Sequence, residues 1–173
     1  MDFTPKFAVL QAKLQAWCVG LLSIPVDAYK LGAVIGKGAT IQTGDKQGLW
    51  PDVVFVATED RKSVGADVIH GSPLLAIDIL HSQVPESQRA ELRRQYAAAR
   101  VLEYWQIDAD KATPAFYQAS AGWEYDRVEP DKGGMHFSTA IVELSFPAQW
   151  FRRQPDLWTM MAYWGMIEDL PPE

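Results

Sequence analysis

Two aspartates, Asp52 and Asp78, stand on short apolar runs, PDVVFVA (51–57) and LLAIDIL (74–80), with 25 residues between them. An apolar run opened by the turn-like GSP (71–73) has the pattern of a strand buried on both faces, which would place the Asp78 carboxyl inside the protein. An unpaired buried carboxylate is costly, so it either finds a partner or stays protonated. Two carboxylates side by side on adjacent strands repel each other unless a divalent cation lies between them. Mg²⁺ held by one or two carboxylates and water suits phosphodiester hydrolysis, because the ion polarises the phosphate and lowers the pKa of a bound water. A structural reading competes with this one: Asp52 as a turn residue after Pro51, and Asp78 as a half-buried acid bonded to a neighbour.

The elements that must position these acids follow from periodicity. Apolar residues at Phe7, Leu10, Leu14, Trp17 and Leu21 predict an amphipathic helix over 5–22, with Pro5 in its first turn. Short β-like pieces follow at 32–36 and 39–44 around Lys37 and Gly38, then the Asp52 strand. The polar stretch 58–70 has helical or loop character and leads to the Asp78 strand. Residues 85–100 (PESQRAELRRQYAAAR) are helix-forming, with proline tolerated in the first turn. LEYWQID, PAFYQAS, GWEYDRVE and MHFSTAIVEL have strand patterns separated by turn residues, and the segment after Pro147 predicts one or two short helices. The pattern is that of one mixed α/β domain across residues 1–173 without repeat or linker.

Composition narrows the classes. The 173 residues are 48% apolar and carry a net charge of −6, against a dedicated DNA coat or a membrane-surface binder, though a local basic groove can coexist with an acidic whole. A single cysteine, Cys18, excludes an internal disulfide framework and a multi-cysteine zinc site within one chain. No run approaches ~18 continuous apolar residues, and the first residues lack the basic-then-apolar pattern of a secretory signal, so a cytoplasmic protein without membrane attachment is expected.

PDVVFV, GSPLLAIDIL and YAAARVLEYWQID together resemble the Uma-type endonuclease family of the PD-(D/E)xK superfamily. Pro51 and Asp52 match its first element, Gly71, Pro73 and Leu75 its second, and Tyr96, Val101, Glu103, Tyr104, Trp105 and Asp108 its last, over about residues 45–150. EYWxxD is the most specific piece. The resemblance implies a restriction-endonuclease-like α/β fold, a mixed sheet flanked by helices, and ancestral DNA endonuclease activity. It also implies one Mg²⁺ or Mn²⁺ held by Asp52, Asp78 and the backbone carbonyl of Ile79, with Arg89 or Arg93 near the scissile phosphate.

The departures are specific. The superfamily's lysine, two positions after the acid, falls on Leu80, and the family's helical alternative falls on Leu92. Arginine beside that stripe cannot replace a base, because it does not deprotonate in proteins. The first helix offers Gln11, Lys13 and Gln15 where relatives offer an acid, and the N-terminus begins without the segment usual in the family. Such a site fits a degenerate nuclease, or a nuclease fold kept as a non-catalytic binding or assembly module. Lys37, Lys46 or Lys62 would restore the missing charge if the fold brought one to the site. Strand alternation turns His81 away from Asp78. Tyr96 is expected in the core with one hydrogen bond. The cluster Trp158, Met161, Tyr163, Trp164 and Met166 is a candidate homodimer surface.

Overall fold

A computed structural model describes residues 5–42, 48–66 and 68–168. Its centre is a six-stranded mixed sheet in the order β1 (Gly32–Ile35), β3 (Val53–Ala57), β5 (Leu75–Leu80), β6 (Glu103–Asp108), β7 (Thr113–Ala119) and β8 (Tyr125–Val128). Within this sheet β5 and β6 are the parallel pair, and the crossover between them carries α2 (Glu86–Ala98). Two small sheets flank this core: β2 (Thr40–Gln42) with β4 (Val68–His70), and β9 (Met135–Phe137) with β10 (Ser145–Pro147).

Alternation along the strands builds a core on each face. Val53, Phe55, Leu75, Ile77, Ile79, Trp105 and Ile107 point toward α1 (Pro5–Ala28), α3 (Trp150–Arg153) and α4 (Leu157–Tyr163). Val54, Val56, Ala76 and Tyr104 point the other way, to Tyr96 on α2 and to Ile41 and Ile69 of the small β2–β4 sheet. The expected burial of the Asp78 strand on both faces is what β5 shows.

α1 runs to Ala28, beyond the predicted 22, through an internal Pro25. It stops where Lys30 adopts a left-handed φ of 56° and the Leu31 N–H bonds the Val26 carbonyl. Residues 8–28 are long and apolar enough to cross a bilayer by length and composition. Here Leu14, Cys18, Leu21, Leu22 and Val26 form the inner stripe against the sheet. At Gly20 an added Cβ would lie 2.8 Å from Leu157, so glycine lets α4 approach α1.

Two expectations changed on folding. Within the polar stretch, 58–63 forms a 3₁₀ turn but 68–70 joins β2 as a parallel strand. Only Met135–Phe137 of MHFSTAIVEL is a strand, because the backbone N–H groups of Thr139 and Ala140 donate to the Glu103 carboxylate (2.8 and 2.9 Å) instead of to a ladder. Glu103 is fully buried and also accepts from Trp105 Nε1 (2.7 Å), His136 Nε2 (3.0 Å) and Ser138 Oγ (2.7 Å). Burial pushes its carboxyl up, but the donors from His136, Ala140 and Ser138 together outweigh that and hold it below the usual glutamate range. The tail is partly inward: Met160 is buried and Trp164 donates to the Ser145 carbonyl, whereas Leu157, Trp158 and Tyr163 remain exposed.

Glu103→Gln would turn one acceptor oxygen into a donor among donors. It is expected to lower unfolding free energy by roughly 3 kcal/mol, read as a lower urea midpoint at unchanged slope.

Candidate metal centre

Asp52 lies one residue before β3, and its backbone N–H still bonds the Ile77 carbonyl (2.9 Å). The side chain then extends the β3–β5 pairing: Oδ2 accepts the Ile79 N–H at 2.8 Å. Oδ1 accepts from Gln11 Nε2 at 3.1 Å, and the same nitrogen lies 3.4 Å from the Ile79 carbonyl oxygen. Gln15 Nε2 donates to the Asp52 backbone carbonyl (2.9 Å). Gln11 and Gln15 are four apart and continue, one turn outward, the inner stripe of α1 through Cys18 and Leu22. The core face of the helix therefore ends in two carboxamides aimed at the site. Burial pushes the Cys18 thiol up, with the Asp52 charge adding to it, so this cysteine is a packed neutral group.

Asp78 faces the α2 side of the sheet and is only 6% exposed. Its carboxylate accepts from Tyr96 Oη (3.1 Å, on Oδ1) and Tyr104 Oη (2.7 Å, on Oδ2), and the two rings stack at 4.3 Å. Behind Tyr104 the network continues through Gln106 Nε2 (3.2 Å) to Arg93, which donates to Gln106 Oε1 (3.0 Å). Burial pushes the Asp78 carboxyl up to about 7, opposed by the Tyr104 hydroxyl and reinforced by the charge of Asp52. Asp52 is also raised, again chiefly by burial, with the Ile79 N–H, Lys37 and Gln11 pulling the other way.

Both carboxylates open on one recess of about 480 Å³, whose walls include Gln11, Lys37, Trp50, Ile79 and His81. Leu80 and Leu92, the two positions at which the resemblance calls for lysine, line it as well. They face the site as expected but bring only apolar surface. Lys37, in the turn after β1, is the lysine that the fold delivers there. Lys62 lies in the 3₁₀ turn and does not line the recess, and Lys46 lies outside the described residues.

The arginines are placed differently from the acids. Arg89 donates to the Val84 and His81 carbonyls (3.1 and 2.9 Å), tying the β5–α2 connection to the helix, while Arg93 also pairs with Glu86 and lies over the Tyr117 ring at 5.0 Å. Neither guanidinium lines the recess. His81 does, because β5 ends at Leu80 and the alternation that would turn it away stops there.

Among the described residues no group of three His, Cys, Asp or Glu lies close enough together to hold a metal ion, although His81 and Glu91 also line the recess. The oxygen donors present are two carboxylates and the Ile79 carbonyl, a hard set that suits Mg²⁺ or Mn²⁺ and not a soft metal. The Gln11 amide nitrogen, placed between Asp52 Oδ1 and the Ile79 oxygen, marks a point on which two acceptor oxygens converge. The donor set fits such an ion.

This sheet, its flanking helices and the paired acids at the sheet end define a protein of nuclease-like fold. A crystal structure described as a putative nuclease belonging to DUF820, from Anabaena variabilis ATCC 29413, superposes with a TM-score of 0.67 over 84% of this chain and 81% of that one, at 17% identity. The sequence model of the Uma2 family, described as "Putative restriction endonuclease", matches residues 8–154, and the chain belongs to that family. Among curated protein sequences none matches.

Because the folded carboxyl of Asp78 titrates far above the ordinary aspartate value of 3.8, the native state holds a proton that the unfolded chain releases. Stability from this group is complete below that ordinary value and is lost as pH rises to about 7. Asp78→Asn is expected to flatten the decline, with thermal melts of the two proteins diverging most at neutral pH.

Proposed function

We propose that this chain is a divalent-metal-dependent DNA endonuclease, with Mg²⁺ or Mn²⁺ held by Asp52, Asp78 and the Ile79 carbonyl. The observation that carries the reading is the convergence of two buried, hydrogen-bonded acids on one recess that a lysine also enters. When bound, the ion supplies charge for the phosphate oxygens and an acidified water. The protein's own groups do the rest. The Ile79 N–H and Gln11 fix the rotamer of Asp52, and the two tyrosine hydroxyls fix Asp78. Lys37 places an ammonium at the recess in place of the lysine absent from Leu80 and Leu92, and a lysine can exchange a proton where an arginine cannot. Arg89 and Arg93 act on this reading as positioning groups, Arg93 reaching Asp78 through Gln106 and Tyr104. A cytoplasmic location, and a homodimer formed through the exposed Leu157, Trp158 and Tyr163, belong to the same proposal.

One observation favours a second reading, a nuclease fold retained as a non-catalytic binding module. Both oxygens of Asp78 accept tyrosine hydroxyls, and its raised pKa leaves it close to half protonated at neutral pH.

Calorimetric titration with Mn²⁺ separates the two. The endonuclease reading expects saturable binding in the wild type that is lost in Asp52→Asn and Asp78→Asn, followed by Mn²⁺-dependent nicking of supercoiled plasmid. Lys37→Gln should then retain Mn²⁺ and nick about 100-fold more slowly. A wild type that binds no Mn²⁺, with Asp78→Asn equally or more stable, establishes the binding module instead.

A further inference from the structure

The carboxylate recess is one end of a longer depression. Trp50, Asp78, Leu92 and Gln95 form a wall common to the recess and to a larger hollow of about 980 Å³, lined also by Gln42, Ser72 and Arg100. Ala98 and Arg100 are in turn common to that hollow and a third one, of about 520 Å³, which holds Arg93, Arg94, Trp123 and Tyr125. α2 contributes to all three, with Leu92, Gln95 and Tyr96 on one face and Arg93, Arg94 and Ala97 on the opposite one. Leu92 and Gln95 join the first two hollows along one side of the helix, and the third is reached around its C-terminal end through Ala98 and Arg100.

Trp50 stands on the first shared wall, two residues before Asp52, and is 68% exposed. That makes it the most exposed tryptophan of the described residues, ahead of Trp158 at 51%. At the far end Arg100 lies over the Trp123 ring at 5.5 Å, with Arg94 beside it on the same hollow. The hollows that lead from the two acids thus hold exposed Trp50 and, at the far end, Arg100 on the Trp123 ring, alongside the Arg94–Glu91 ion pair and the Glu124 carboxylate. Tryptophan faces stack on bases regardless of sequence, and arginines track the phosphates between them. Paired and stacked bases in a duplex present only their edges to a protein, so a ring waiting to be stacked selects an unpaired base. Gln42, Ser72 and Gln95 add carboxamide and hydroxyl groups of the kind that bond base edges. The stretch of α2 from Gln88 to Ala98 is ~15 Å long at ~1.5 Å per residue, room for about four nucleotides at ~3.4 Å each.

We propose that this groove binds a single-stranded DNA segment and leads it to the carboxylates, with one base stacked on Trp50 and another against Trp123. The assignment rests on the DNA-endonuclease reading and narrows it to substrates with an unpaired strand, such as frayed ends or flaps.

The test is fluorescence anisotropy in EDTA, so that neither metal nor cleavage enters. The probes are a labelled oligothymidylate of about twelve nucleotides, inside the ~4–16 range of single-strand sites, the matching duplex, and an oligouridylate of equal length. Tighter binding of the oligothymidylate than of either competitor is expected. Trp50→Ala should weaken it about ten-fold or more, with an unchanged melting profile because the side chain is exposed, and Trp50→Phe should restore most of the loss. Arg94→Gln should reduce the slope of log affinity against log salt by roughly 0.7, the value for one phosphate on a single strand. Equal or tighter binding of the duplex or of the RNA, or unchanged affinity in Trp50→Ala, overturns the proposal. Mn²⁺ binding without oligothymidylate binding overturns the groove alone; oligothymidylate binding that depends on Trp50, without Mn²⁺ binding, upholds the groove and removes only the endonuclease reading.

Discussion

The contact between the Asp52 carboxylate and the Ile79 N–H is the constraint from which the site is built. Backbone pairing of β3 with β5 ends at the bond from the Asp52 N–H to the Ile77 carbonyl, and beyond it the two strands would be free to separate. A side-chain oxygen takes up the next N–H in line. That single bond fixes the distance between the Asp52 strand and the Asp78 strand, holds the Ile79 carbonyl at the recess, and gives Gln11 its two acceptors. A buried carboxylate that accepts a backbone N–H loses part of its desolvation cost while keeping lone pairs for a further cation.

Two buried acids show what distinguishes structure from chemistry in this fold. Glu103 and Asp78 lie on adjacent strands and are almost equally inaccessible. Glu103 is surrounded by a histidine, an indole, a hydroxyl and two backbone N–H groups, so its charge is satisfied and its pKa lies low. Asp78 has two phenolic donors and a second carboxylate within electrostatic reach, so its pKa lies high. The first acid ties the segment 138–140 to the sheet and has nothing left to offer. The second keeps an unmet demand for positive charge. Perturbation in opposite directions, at similar burial, supports the proposed division between a scaffold acid and a site acid.

The most specific part of the family signature accordingly belongs to the scaffold. In EYWQID, Glu103 holds the 138–140 segment, Trp105 fills the core, and Asp108 accepts the Ser82 hydroxyl and the N–H groups of Asp110 and Lys111. Tyr104 alone touches a site acid. A motif of this kind identifies a fold more securely than an activity, which depends on what surrounds Asp52 and Asp78.

The sequence by itself determined the strands of the central sheet, the two main helices and the burial of the two acids, because alternation and the 3.6-residue period are local and a carboxylate inside an apolar run is conspicuous. The family's lysine positions fall on Leu80 and Leu92 by resemblance, and both line the recess. Only the tertiary structure decided that Gln11 and Gln15, 41 and 37 residues from Asp52, would bond it, that Lys37 would enter from a turn, and that Tyr104 rather than Tyr96 alone would hold Asp78. It likewise turned His81 into the recess and drew the arginines into the scaffold. These contacts join residues far apart in the chain, and their geometry follows from how α1 and the β1–β2 turn pack on the finished sheet. Local periodicity carries no record of that packing.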